Sequence, residues 1–229
     1  MLIANWMTKN PVTVTADANM MRAGKMMKEK NIRRLPVIDE DNVVIGIITD
    51  RDIKQASPSE ATTLDIHEMY YLMSEIKVKD IMTLNPITLT SEDTIERAAL
   101  LMLSEKVSGF PIVDSNKKLV GLITEYDVFK VLTSITGVQH GGLQVGFELP
   151  TEEGSLQKLL DELMNRKIRI LSLLTSYESS PEGHRQVFIR IQDLGWDREK
   201  QLLDDLKKDY KVLFHVRDYA AEGEGNPLE

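Results

Sequence analysis

Apolar and polar residues alternate in the same order twice along this chain, with the two runs offset by 75 residues and no gap between them. The first run begins Trp6-Met7-Thr8-Lys9-Asn10-Pro11, passes through Leu35-Pro36-Val37 and ends Gly46-Ile47-Ile48-Thr49-Asp50-Arg51-Asp52. The second begins Ile81-Met82-Thr83-Leu84-Asn85-Pro86, passes through Phe110-Pro111-Ile112 and ends Gly121-Leu122-Ile123-Thr124-Glu125-Tyr126-Asp127. Over residues 6–54 the copies share fifteen identities, among them the closing Gly, Thr and Asp. Each run predicts short strand, helix, strand, strand, helix. Residues 12–15 and 87–90 follow Asn-Pro, and a residue before proline is pushed away from the helical region. Asp17 and Ser91-Glu92 are expected to open helices. Ala23, Met26 and Met27, and in the copy Ala98, Leu101 and Met102, fall at i, i+3, i+4 and define an apolar helix face. Strands are expected to begin at Pro36 and Pro111, polar turns at 39–42 and 114–117, and buried return strands at 43–48 and 119–123. Two copies are too few for a solenoid, so a pair packed sheet against sheet about a pseudo-twofold axis is the expected solution. Between the copies, residues 67–76 (with Tyr70 and Tyr71) read as a helix inside a linker at 57–79.

The pattern changes after the glycine-rich stretch 137–142, the expected hinge. Residues 143–149 alternate as a strand, and 154–167 place Leu156, Leu159, Leu160, Leu163 and Met164 at helical spacing. Two strands follow at 168–177 and 185–191, joined by the turn Ser179-Ser180-Pro181-Glu182-Gly183, then a helix at 197–209 and a strand at 211–216. This βαββαβ order is that of the split-βαβ, ferredoxin-like unit. Residues 220–229 have the composition of a disordered tail.

The chain has 229 residues, 42% of them apolar and 28% charged, which suits globular domains with real cores. No apolar run approaches the ~20 residues that span a bilayer, and the N-terminus lacks a signal-peptide pattern. There is no cysteine, hence no disulfide framework or thiolate metal site, which fits a cytoplasmic protein. The net charge of −8 is shared between both halves, so neither carries the basic field expected for nucleic acid or an anionic membrane. A bound anion would need a local cluster of cations.

Catalytic signatures are missing: no Gly-x-Ser-x-Gly, P-loop, Gly-x-Gly-x-x-Gly or His-Glu-x-x-His occurs. His67, His140, His184 and His215 are scattered among different elements, and the eleven methionines fall mostly at helix core positions. The doubled Thr-x-x-Asp is the remaining candidate. A Thr followed three residues later by an acid, after a strand and opening a helix, is a capping box on its own terms. Its repetition at a fixed distance from a strand glycine admits a second role. A helix N-terminus attracts phosphate, and an acid one turn in can accept two ribose hydroxyls.

On these motifs each copy resembles a CBS domain motif, and the pair resembles a Bateman module. The resemblance implies an α+β tandem with pseudo-twofold symmetry and two clefts for adenine nucleotides or adenosyl ligands. AMP, ADP, ATP, NAD(H) and S-adenosylmethionine are the regulatory candidates, with no required cofactor and no metal. In the first cleft it implies Thr49, Arg51, Asp52 and Arg34, joined from the other copy by Thr83, Ile87 and the Val107-Ser108-Gly109 bend. In the second it implies Thr124, Tyr126 and Asp127 with Met7, Thr8, Val12 and Arg33. Gly109 stands in the second copy where Arg34 stands in the first, and Tyr126 where Arg51 stands. Guanidinium groups bind phosphate bidentately, so the first cleft is expected to prefer phosphorylated ligands. Residues 143–219 resemble an ACT domain, with Gly154 and Leu156 where that family admits amino-acid effectors; a plain helix-start glycine and core leucine remain the alternative. The whole arrangement (residues 1–56 and 80–136 as the two CBS motifs, then ACT) resembles the AcuB-type acetoin-utilisation proteins. Its implications are a homodimeric, cytoplasmic, non-enzymatic regulator acting on an unidentified protein. The alternatives are a structural dimerisation subunit and an acetoin-pathway enzyme.

Overall fold

The computed structural model describes residues 1–57, 71 and 73–218. It divides into two compact units, Met1–Phe129 and the chain from Lys130 onward. In the first unit the elements are strands β1 (Thr8–Lys9), β2 (Val14–Thr15), helix α1 (Met20–Glu29), β3 (Arg34–Ile38), β4 (Val44–Thr49) and α2 (Asp50–Ala56). The second copy supplies α3 (Val78–Ile81), β5 (Thr83–Leu84), α4 (Ile95–Glu105), β6 (Gly109–Val113), β7 (Leu119–Thr124) and α5 (Glu125–Thr136), the last of which carries the chain into the second unit.

The helices begin later than Asp17 and Ser91-Glu92 suggest. Asn19 and Thr94 are the actual caps: Asn19 Oδ1 accepts from Met21 N–H (2.6 Å) and Thr94 Oγ1 from Arg97 N–H (3.2 Å). Asp17 is instead an exposed partner of Lys79 (2.8 Å). The central strands also start two residues before their prolines, at Arg34 and Gly109, because those residues pair with Thr49 and Thr124 across the hairpins. The helix expected over 67–76 lies mostly outside the described residues, although Tyr71 and 73–75 are helical.

The two copies are not simply packed face to face; they exchange strands. β1 pairs with β7 (Thr8↔Leu122, Lys9↔Gly121), and β5 pairs with β4 (Ile47↔Thr83, Gly46↔Leu84). Each copy's opening segment therefore completes the other copy's sheet. The glycine of each Gly-h-h-Thr-x-x-Asp makes the crossing possible. A Cβ on Gly46 would collide with Met82 and lie 3.2 Å from the Thr83 carbonyl; one on Gly121 would meet Met7 and Thr8 in the same way. The exchange continues outward through matched backbone bonds, Met20 N–H to Ile76 O (2.9 Å) and Ile95 N–H to Met1 O (2.8 Å). Val78 is fully buried in the first copy's core beside Leu35, Val37 and Ile48. On the pseudo-axis itself Val43 bridges its own counterpart, Lys118. Left-handed backbone recurs at matched positions, Asn10 and Asn85, Asn31 and Lys106, Asn42 and Lys117.

In the second unit β8 (Gly142–Pro150), α6 (Ser155–Asn165), β9 (Ile170–Ser176), β10 (His184–Ile191), α7 (Trp196–Asp209) and β11 (Lys211–Asp218) form an antiparallel sheet of order β11-β8-β10-β9. This is the ferredoxin-like βαββαβ topology. Alternate residues of β8 and β10 (Leu143, Val145, Phe147, Val187, Ile189, Ile191) meet Leu159, Leu163, Leu202 and Leu206 of the helices in one core. The division between units falls within α5, ahead of the glycine-rich stretch. The end of α5 is anchored to the sheet: the Thr136 carbonyl accepts from Ser172 Oγ (2.8 Å) and from Arg190 Nε (2.9 Å). Within that stretch 138–140 form a short 3-10 turn, and Gly142 already belongs to β8.

Candidate functional site

Both Thr-x-x-Asp sequences fold into capping boxes of nearly the same geometry. Thr49 donates from its N–H and from its Oγ1–H to Asp52 Oδ2 (2.7 Å each), and Asp52 N–H donates back to Thr49 Oγ1 (3.3 Å). In the second copy Thr124 N–H and Oγ1–H donate to Asp127 Oδ2 (2.9 and 2.7 Å), with Asp127 N–H returning to Thr124 Oγ1 (3.4 Å). One carboxylate oxygen thus makes the acid's whole share of each box. The other, Oδ1, accepts no hydrogen bond from the described residues, so the capping and ligand roles are compatible at one side chain. Asp127 is buried and Asp52 half-buried.

The exchanged strands set what lies beside each box. β4 runs into Thr49 and carries Thr83 alongside it; β7 runs into Thr124 and carries Thr8. Thr83, Thr8 and Ile87 are exposed. Val12 leans on the first copy's core, which accounts for its apolar character by packing. Arg51, Arg33 and Tyr126 are exposed.

Arg34 meets the bend assigned with it to the first cleft. It is only 9% exposed, and its guanidinium does not stay with the first copy. It lies on Gly109, where a Cβ would strike it, and its Nη2–H donates to Ser108 Oγ (2.7 Å). Burial pulls its pKa below the usual guanidinium value, while Glu125, Asp50 and Asp127 act in the opposite direction, in that order. The cation expected to mark the first cleft therefore lies on the bend expected to join it there, and Gly109 of that bend also pairs with Thr124 of the second box. Glu125 and Asp50, which sequence reasoning passed over, occupy matched positions in the two copies, and that matched acidity was the available signal. Val107 is exposed at the start of the bend that presents Ser108 and Gly109.

In the second unit, Gly154 takes a left-handed backbone (φ 79°) with open space where a Cβ would project, and Leu156 packs against the core. Two cavities of about 360 and 390 Å³ are present there, one at His140, Arg169 and Asp193, the other at Trp196, Leu203 and His215. Neither is lined by Gly154 or Leu156. Among the described residues no group of His, Asp or Glu is arranged to hold a metal ion, and no helix is long and apolar enough to cross a membrane.

The CBS-domain family model matches residues 3–59 and 78–134. A CBS domain-containing protein of Dictyostelium discoideum is 32% identical over 134 residues, covering 58% of this chain and 92% of that protein. The chain belongs to the CBS-domain family. Its first unit is the tandem pair, and both boxes fall inside the matched segments. The L-aspartate semialdehyde sulfurtransferase of Methanocaldococcus jannaschii is 29% identical over 130 residues, 57% of this chain, but the chain spans only 23% of that enzyme's length. The likeness to such enzymes is thus confined to the CBS portion, a regulatory module type. A crystal structure assigned to acetoin utilization (AcuB) from Vibrio cholerae matches with a TM-score of 0.50 and 22% identity, covering 61% of this chain and 95% of that one. At that identity the likeness is one of fold.

Proposed function

We propose that this protein is a ligand-sensing regulator that binds an adenine nucleotide or adenosyl compound in the two clefts of its CBS pair. The observation that carries this reading is that Oδ1 of Asp52 and of Asp127, beside each capping box, accepts no hydrogen bond from the described residues. The acid's share of each box uses one oxygen, which leaves the second available for ribose hydroxyls. Asp52 with Thr49, Arg51 and Thr83 forms the first cleft, and Asp127 with Thr124, Tyr126 and Thr8 the second. Ile87 and Val12 flank the base, and the 107–109 bend and Arg34 lie toward the phosphate end.

The second unit is an ACT-like domain in this proposal, with residues 137–142 linking it to the CBS pair and Gly154 and Leu156 marking an effector position. Ligand binding shifts the population of one CBS arrangement and is read out by that domain or by an unidentified protein partner. A cytoplasmic homodimer with a place in acetoin or acetyl metabolism completes the proposal.

Thermal-shift and calorimetric titration with AMP, ADP, ATP, NADH and S-adenosylmethionine tests it. A ligand at about a hundred times its Kd should stabilise the chain by about 2.7 kcal/mol, a rise of several degrees in Tm. Flat responses to all five would favour the alternative of an empty, purely structural module. Asp52→Ala should remove binding at the first cleft and, through loss of the acid's half of the capping box, destabilise by up to ~1 kcal/mol. Retained affinity there would mean the ribose is held elsewhere.

A further inference from the structure

The two copies share a frame, but only the first carries a cation at the position of Arg34. Among the described residues the buried charged side chains are Arg34, Asp127, Arg190 and Glu199, so Arg34 is the single buried cation of the CBS pair. Its counterpart is Gly109, and the absence of a side chain there is what lets the guanidinium cross toward the second copy. One donor, Nη2, is held by Ser108. The remaining N–H groups of the fork have no partner among the described residues and are left for water or a ligand. The acids that act on it come from both copies: Asp50 beside the first box, Glu125 and Asp127 at the second. Arg34 pairs with Thr49 across the first hairpin, and its guanidinium lies on Gly109, which pairs with Thr124 across the second, so the side chain adjoins both boxes with donors beyond Nη2 unengaged among the described residues.

We propose that Arg34 is one anion contact shared by the two clefts, so that the chain holds one nucleoside monophosphate tightly and a second only weakly. The inference rests on the adenosyl-binding reading above and adds a rule of occupancy to it. A bidentate phosphate uses up the guanidinium fork. A second phosphate, itself carrying close to two negative charges, then meets a spent donor and a like charge. An adenosyl ligand without phosphate makes no demand on Arg34 and escapes the rule. The position therefore converts two clefts of similar frame into a module that counts phosphorylated ligands singly.

Calorimetry on the full chain tests this with AMP and adenosine as probes. Asp127→Asn silences the second cleft and Asp52→Asn the first; asparagine keeps an oxygen for the cap while giving up the charge and one acceptor. In each single-cleft background Arg34→Met should weaken AMP by about ten-fold or more while changing adenosine by less than about two-fold. In the chain with both clefts intact, the second AMP should bind at least about ten-fold more weakly than the first, and Arg34→Met should narrow that gap. Unchanged adenosine affinity reports that the variant is folded. A loss of AMP affinity confined to one background, or two AMP molecules bound with no gap, overturns the shared contact and leaves the adenosyl reading standing. Failure of the unsubstituted chain to bind either probe removes that reading, and the shared contact with it.

Discussion

A single side chain with two hydrogen-bonding faces decides much at the residue scale. Asp52 and Asp127 each cap through Oδ2, and Oδ1 accepts no hydrogen bond from the described residues, which leaves it for the proposed ligand. That division explains why a sequence pattern with a sufficient structural cause can also mark a site. Arg34 and Gly109 show the opposite relation, in which one residue has meaning only through its counterpart. A Cβ at Gly109 would lie 2.8 Å from the Ile123 carbonyl, a backbone atom that cannot step aside, and would overlap the guanidinium. Gly109→Ala should therefore destabilise the chain by about 1–3 kcal/mol, the range of an overpacked interior, and eject Arg34 from its seat. Denaturant unfolding checks the first effect; a matching loss of AMP but not adenosine affinity checks the second. The resemblance already sets Arg34 beside the 107–109 bend; what a linear alignment does not give is the hydrogen bond to Ser108 or the seat on Gly109.

The elements were largely legible because period and punctuation agree: alternation in β8 and β10, a 3.6-residue rhythm in α6 and α7, and turn residues between. Errors cluster at the starts. Asn19 and Thr94 outcompete the earlier acids as caps since their side chains reach the N-terminal N–H groups of the helices they precede. The strand exchange was hidden for another reason. β1 and β5 are two residues each, too short to carry a period, and the evidence for them is the pair of glycines that make room for Met7 and Met82. Between helices, α6 and α7 are tied by Arg166, whose guanidinium donates to Asp205 (2.8 Å) and Glu162 (2.9 Å). Arg166 first, then Lys208, holds the Asp205 carboxyl down at about 2. Because this pKa lies below its unfolded value of 3.8, the contact stabilises the fold above pH ~4 and is lost as pH falls toward 2. Arg166→Ala should move the Asp205 titration, followed by carboxyl NMR, upward toward 3.8; an unmoved midpoint would mean Lys208 alone sets it. The pair is exposed, so added salt should shift the midpoint the same way.

At the scale of the whole molecule, α5 begins at a candidate cleft and ends on the second unit's sheet. Its first turn contains Asp127, and its last carbonyl, that of Thr136, is gripped by Arg190 and Ser172. Arg190 is 3% exposed and reaches further, donating to Asp218 Oδ2 (2.7 Å) and Gln144 Oε1 (3.2 Å), so a single guanidinium gathers α5, β8, β10 and β11. A helix fixed at both ends transmits a change at its N-terminus only if neither attachment slips, which makes Arg190 the position to break. The sequence supplies a reporter for each unit, since its two tryptophans are Trp6 and Trp196. With Trp196→Phe, fluorescence follows the CBS pair; with Trp6→Phe, it follows the βαββαβ unit. A saturating adenosyl ligand should raise the unfolding midpoint reported by both. Arg190→Met should leave the Trp6 response to ligand intact, because that clamp lies wholly within the second unit, and should abolish or sharply reduce the response of Trp196. Equal ligand responses at both reporters in Arg190→Met would show that the coupling does not run through this clamp. A ligand response confined to Trp6 in the unsubstituted background would show two units that share a helix but not a signal.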